Sequence, residues 1–336
     1  MKKYLLILGL LLHLGSPVTQ AQAKKELTIA FGSCNRQNLP QPMWGAISQD
    51  KPDLWIWLGD NIYGDSDDMA VLKAKYDQQL NQPDYKAFRA QTPVIGTWDD
   101  HDYGRNDGDK SYGPKKESQQ LALDFLQEPA ASPRRQQEGI YAAYDYKVGR
   151  KKIKVILLDD RYHQDALQKD STKAYIPNAT GDLLGEAQWQ WLQQQLATSD
   201  ADAHIIGSGI QFLAEQHPYE KWANFPAARQ RFFALLASTK AKGVLLVSGD
   251  RHIGEVAKTT LPGVAYPVYE ITSSGLTHSA TNNTGEANKY RVGPLVNQKH
   301  YGLFRFQQKG KKLLATVQLK GEEGKAFHTE EIEVVE

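Results

Sequence analysis

Side chains that can hold a metal or move a proton are bunched in five short stretches, each directly after an apolar run. The first is Gly32-Ser33-Cys34, which contains the sole cysteine of the 336-residue chain. The second, "GDNIYGD", supplies Asp60, Tyr63 and Asp65. The third, "WDDHDYGRND", supplies Asp99, Asp100, His101, Asp102 and Asn106. "LDDR" adds Asp159 and Arg161, and "SGDRH" adds Asp250 and His252. Carboxylates gathered in one place need cations, because like charges raise each other's pKa. A thiolate and a phenolate beside carboxylate and imidazole suit a charge-rich ion such as ferric iron. Acid and amide oxygens suit a harder ion such as calcium. Two such ions together can hold both the nucleophilic and the phosphoryl oxygens of an in-line displacement. A histidine can protonate the leaving alkoxide, and an arginine can neutralise the phosphate.

Each residue also has a plainer role open to it. Cys34 alone is equally a small buried hydrophobe, Asp60 a turn cap, and Tyr63 a rim aromatic. The acids from Asp99 to Asp109 can be a solvated loop. Asp99, Asp107 and Asp109 are read as structural or solvated. Arg161 is divided between an ion pair with Asp159 and contact with a phosphate. His278 and His300 lie near strand ends and are given no role.

The runs that must position these residues are short: Leu27 to Phe31, Leu54 to Leu58, Pro93 to Trp98, Ile153 to Asp159, His204 to Ile210 and Gly243 to Gly249. Most lack clean alternation, as expected of strands buried on both faces. "EAQWQWLQQQL" aligns Trp189, Leu192 and Leu196 on one helical face. "PAARQRFFALL" starts with Pro226 at a first turn and aligns Ala228, Phe232, Leu235 and Leu236. A further helical patch spans Lys116 to Leu126. Strand–helix alternation predicts a layered α/β fold, whose sites collect at the carboxyl ends of the strands. "YPVYEIT", "GLFRFQQKGKKLLATVQLK" and "TEEIEVVE" alternate more cleanly and are expected to close a sheet as antiparallel strands. Arg161 to Gly185 and Ser279 to Val296 read as loops.

The formal charge of +1 gives no electrostatic footprint for long nucleic acid. Lys2 and Lys3, the apolar run Tyr4 to Leu14, and Ala21-Gln22-Ala23 have the form of an export signal, expected over residues 1–23. The remaining residues, 24–336, are then one large domain working in the periplasm or outside the cell. No later run is apolar for long enough to span a bilayer. One cysteine makes no internal disulfide, so the fold rests on packing.

"FGSCNRQ", "LGDNIYGD", "TWDDHDYGRND", "LDDR", "KWANFPAARQRF" and "SGDRHIGE", in this order, resemble the alkaline phosphatase D (PhoD-like) metallophosphatase family of the calcineurin-like metallophosphoesterases. The resemblance implies a four-layer αββα sandwich with mixed sheets. It implies Fe3+ held by Cys34 and Tyr63, Asp60 as the bridging carboxylate, and Asp250 and His252 as further ligands. It makes Asn106 the amide ligand of the Ca2+ side and Asp100 a further metal ligand, with another divalent metal such as Mn2+ or Zn2+ as an alternative, and gives His101 and Arg161 to the phosphate and leaving group. The first motif falls soon after the expected cleavage point, so the extra N-terminal β domain of long members is expected to be absent.

The function expected is an exported dinuclear-metal phosphoesterase acting on phosphate monoesters or diesters through a metal-activated hydroxide. Its substrate would be a small phosphate ester or a lipid head group. The alternatives are a phospholipid head-group phosphodiesterase, a non-catalytic metal-dependent phosphate binder and a surface-interaction protein.

Overall fold

The computed structural model describes residues 24–283 and 285–335. The expected export signal therefore lies outside the described residues. Strands are numbered along the chain. In the first sheet, β1 (Glu26–Gly32), β2 (Leu54–Leu58) and β3 (Val94–Thr97) run parallel. The second sheet begins with β4 (Ala142–Val148) paired antiparallel to β5 (Lys151–Leu157). A small hairpin, β6 (Gln168–Lys169) and β7 (Tyr175–Ile176), stands apart. The second sheet continues through β8 (Ala203–Ser208), β9 (Val244–Ser248), β10 (Gly254–Thr259), β11 (Val268–Ser273) and β12 (Arg291–Val296), in the order β12-β10-β11-β9-β8-β5-β4. The chain then returns to the first sheet as β13 (Tyr301–Lys309), β14 (Lys312–Lys320) and β15 (Ala326–Val335), in the order β15-β14-β13-β1-β2-β3.

Strand periodicity builds the layers. Ile29 and Phe31 of β1, with Leu54, Ile56 and Leu58 of β2, point between the sheets. There they meet Val155, Ile205 and Val247 of the second sheet. The alternate residues Ala30, Trp55 and Trp57 face the opposite way. They are covered by α1 (Met43–Gln49), α2 (Met69–Leu80), α3 (Pro83–Arg89), the single turn α4 (Asp100–Tyr103) and α5 (Lys115–Phe125). On the far side, Ile156, Ile206 and Leu246 pack under α6 (Gly185–Ala197) and α7 (Pro226–Thr239). Both faces of each sheet are buried, which explains the continuous apolar runs and gives the four-layer αββα sandwich. Each fully buried Leu, Ile or Phe is worth roughly 1.5–3 kcal/mol, so three such clusters replace a disulfide.

The expected helices form, with Trp189, Leu192, Leu196, Ala228, Phe232 and Leu236 buried and Leu235 partly so. Three expectations are corrected. Ser279 to Val296 is not all loop: its end is β12, paired antiparallel with β10. Arg161 to Gly185 carries the β6–β7 hairpin. "YPVYEIT" does not belong with the closing strands of the first sheet. It forms β11, parallel to β9 in the second. Among the described residues no helix is long and apolar enough to cross a membrane.

Candidate metal centre

The parallel strands of both sheets deliver their carboxyl ends to one edge. The two edges are stitched together there: Ser33 Oγ donates to the Ser273 carbonyl (3.2 Å), and the Leu276 amide to the Ser33 carbonyl (3.3 Å). At this edge the backbone turns sharply. Cys34, Asp60, Asp250 and His252 have φ of 58°, 49°, 66° and 54°. Left-handed conformation costs a non-glycine residue roughly 1–2 kcal/mol, and such strain collects at functional sites. The neighbours hold it in place. Buried Asp102 collects the amides of Asp60 (3.1 Å), Asn61 (3.2 Å) and Asp99 (2.7 Å). Ser274 Oγ accepts the His252 amide at 2.7 Å. Gly59, at φ 91°, must be glycine, since a Cβ there would lie 2.3 Å from Asp99 Cβ.

One set of side chains is enclosed. The Cys34 thiol donates to Asp60 Oδ2 (3.3 Å) and lies 3.1 Å from Ser274 Oγ. The Tyr63 hydroxyl donates to the same Asp60 oxygen (3.1 Å) and meets Nε2 of both His252 and His278 at 3.0 Å. The two imidazoles are 3.2 Å apart. Burial, with help from the charges of Arg251, His101 and Arg36, lowers His252. Burial together with His252 and Arg36 lowers His278 to about 3. Both rings are therefore neutral near pH 7, as metal ligation requires. Burial pushes the Cys34 thiol up to about 11 and Asp60 well above the carboxylate range, the latter with added repulsion from its acidic neighbours.

The other set faces a cavity of about 810 Å³, lined by Asp60, Asp100, His101, Asn106, Asp107, Glu220, Asp250 and His252 among others. Asp100 is held low: burial opposes it, but Arg161, His101 and the amides of Asp107 (2.7 Å) and His101 (2.8 Å) prevail. His101 Nδ1 donates to Asp65 (2.6 Å). Burial works against the His101 cation, but the Asp65 bond and the charge of Asp100 raise its pKa overall. Asn106 is exposed at the cavity wall.

Ligating atoms of Cys34, Asp60 and His252 lie within 4.8 Å of one another, and so do those of Asp60, Asp100 and His101. Asp60 belongs to both groups. Its Oδ2 accepts hydrogen bonds from the thiol and the phenol, while Oδ1 is buried with no hydrogen-bond partner among the described residues. An orphaned carboxylate oxygen between two donor groups fits a bridging ligand of a metal pair, and the donor chemistry fits as well.

Of the residues expected from sequence, Cys34, Asp60, Tyr63 and His252 meet directly, and Asp60, Asp100, His101, Asn106 and Asp250 share the cavity wall. Arg161 is corrected. It is fully buried, and its guanidinium pairs with Asp99 (Nε, 2.6 Å) and Glu220 (2.7 and 3.0 Å), with Gln164 taking a further bond. Four of its N–H groups donate to these three side chains and Nη2 also lies against Asp99, so the guanidinium is taken up by protein partners. The partner foreseen, Asp159, instead accepts the Arg161 backbone amide. Two residues went unforeseen. His278 joins the enclosed set, and its position just past β11 was the available signal. Arg36 lies over the Tyr63 ring at 4.3 Å and carries no ion pair among the described residues.

Comparison with known proteins bears on the family and the fold. A family profile, PhoD-like phosphatase, matches residues 29–322. Alkaline phosphatase D of Bacillus subtilis (strain 168) is 24% identical over 274 residues, covering 68% of this chain and 46% of its own length. The chain thus spans about half the length of that curated relative. A solved structure of PhoD superposes with a TM-score of 0.72 at 17% identity, covering 93% of this chain and 69% of the other.

Proposed function

This chain belongs to the PhoD-like phosphatase family, and from that premise we propose that it is an exported dinuclear-metal phosphoesterase. Its substrates are small phosphate monoesters or diesters, lipid head groups included. The observation that carries the proposal is Asp60, whose buried Oδ1 has no partner among the described residues and which belongs to both ligand groups.

Cys34, Tyr63, Asp60 and His252 would hold one ion, with Asp250 beside them and His278 within reach of Tyr63 and His252. This thiol- and phenol-containing set suits ferric iron. Asp60, Asp100 and Asn106 would hold the second from oxygen donors, which suits calcium. When bound, the ions supply Lewis acidity toward a phosphoryl group and lower the pKa of water. The protein supplies the rest. His101 offers Nε2 to the leaving oxygen, with Asp65 orienting the ring and stabilising its protonated form. Arg36, with no carboxylate partner among the described residues, is the guanidinium available to the anion. Arg161 acts further back, holding Asp99 and Glu220 beneath the cavity. The lysine pair, apolar run and small-residue cleavage site of residues 1–23 support export.

The test is metal analysis of the purified protein, with hydrolysis of p-nitrophenyl phosphate and bis-p-nitrophenyl phosphate before and after chelation. Two bound metals and chelator-sensitive turnover are expected. Metal-free protein without turnover on either ester sinks the proposal.

A further inference from the structure

The cavity beside the metal centre is much larger than a phosphate group needs. At about 810 Å³ it lies in the upper part of the range that takes drug-sized ligands. Its wall carries an unusual residue. Tyr219 is 52% exposed, the highest exposure of any large hydrophobic side chain among the described residues. Leaving an aromatic ring in water forgoes the burial that most tyrosines obtain, so the ring has to be held in place by its surroundings.

It is. The guanidinium of Arg251 lies 4.0 Å from the ring centroid, covering one face. Arg251 is itself buried and anchored to Glu286 at 2.6 Å. The Tyr219 amide donates to His217 Nδ1 (3.2 Å), and Lys221 Nζ holds the Tyr219 carbonyl (2.8 Å). The adjacent Glu220 is locked by Arg161. Chain connectivity sets the distance from the chemistry: Arg251 is the residue between Asp250 and His252. A ring held against a buried cation and left half exposed at the cavity wall is built to stack.

We propose that Tyr219 is a stacking platform that selects phosphate esters carrying a planar aromatic or heteroaromatic group, a nucleobase or an aryl ring. This rests on the phosphoesterase reading above and names the class of substrate that site prefers. The phosphate would lie at the metal centre and the ring on Tyr219, so the platform adds binding without touching the reacting atoms.

Adenosine 5′-monophosphate and ribose 5-phosphate test this cleanly, because they share the ester linkage and differ by the ring. Calorimetric titration of the metal-loaded protein should show tighter binding of the nucleotide. Tyr219→Ala should weaken nucleotide binding about tenfold and leave ribose 5-phosphate unchanged, in line with the cost of removing one stacking partner. Tyr219→Phe should retain the preference. Where the esters turn over, the loss should fall on KM with kcat unchanged. Equal binding of the two ligands by the parent protein, or an equal loss on both in Tyr219→Ala, overturns the proposal. Because binding is read directly, ring selection without any turnover would fault the phosphoesterase reading and leave the platform standing.

Discussion

Around Asp60 the Cys34 side of the centre is closed, and the Asp100 side is open. Cys34, Tyr63, His252 and His278 contact one another or Asp60 within 3.0 to 3.3 Å. Asp100, His101 and Asn106 instead spread along a cavity wall, with Asn106 exposed. The donor types differ in part: a thiol and a phenol occur only on the closed side and an amide oxygen only on the open side, while each side has carboxylate and imidazole. A closed set fixes an ion, and an open one leaves positions for water and substrate. On the proposed dinuclear reading, the closed side would hold one ion as part of the fold and the open side would hold the other facing the substrate.

The severest way to break the comparison is Asp60→Ala. If Asp60 bridges both sides, this variant should lose both metals and drop activity to background, as read by metal stoichiometry and steady-state hydrolysis. Loss of one metal alone would show two independent sites. Cys34→Ser should act on the closed side only. It should lose that metal and at least about a hundredfold of activity, with far-UV circular dichroism unchanged. Full metal content and activity would make Cys34 a packed thiol.

Arg161→Met probes the floor of the open side. It leaves the buried carboxylates of Asp99 and Glu220 without their cation, and removing one partner of such a buried pair costs about 3–5 kcal/mol. A large fall in the urea midpoint is expected, with kcat of the folded, metal-loaded fraction little changed. A specific rise in KM for phosphate esters at unchanged stability would return Arg161 to the phosphate.

The smallest effect sharpens the closed side. His300 is buried beneath it, with Nδ1 donating to the Gln298 carbonyl (2.8 Å) and Nε2 accepting the Ser274 amide (3.2 Å). Burial lowers its pKa to about 4. The unfolded chain therefore takes up a proton that the folded one refuses, so the stability is complete above about pH 6.5 and is lost as pH falls toward 4. About 1 kcal/mol should be lost between pH 7 and 5.5, measured as an unfolding midpoint, and His300→Gln should flatten that slope. An unchanged slope in the variant would assign the acid sensitivity elsewhere.

Much of the closed side was legible in the sequence. Cys34, Asp60, Tyr63, Asp250 and His252 follow strands whose continuous apolar runs marked them as buried, and sites collect past such ends. His278 sits in the same kind of position, but "SSGLTH" carries no second polar residue with metal-ligand spacing to single it out. The open side was less legible because it is made by loops. Nothing local to Arg161 reveals that Asp99 and Glu220, 62 and 59 residues away, consume its donors. Likewise β12, "RVGPLV", carries a Gly and a Pro, so its weak pattern is overruled only by pairing with β10.

The sequence by itself determined the strand and helix periods, the layered fold and the identity of most candidate ligands. These depend on residue type and short-range spacing. Tertiary structure decided which carboxylate stands between the two donor groups, which arginine is spent on an ion pair, and where an aromatic ring is left in solvent. Those properties arise from contacts between segments far apart in the chain, where burial and charge pairing are set by packing rather than by any residue's neighbours in sequence.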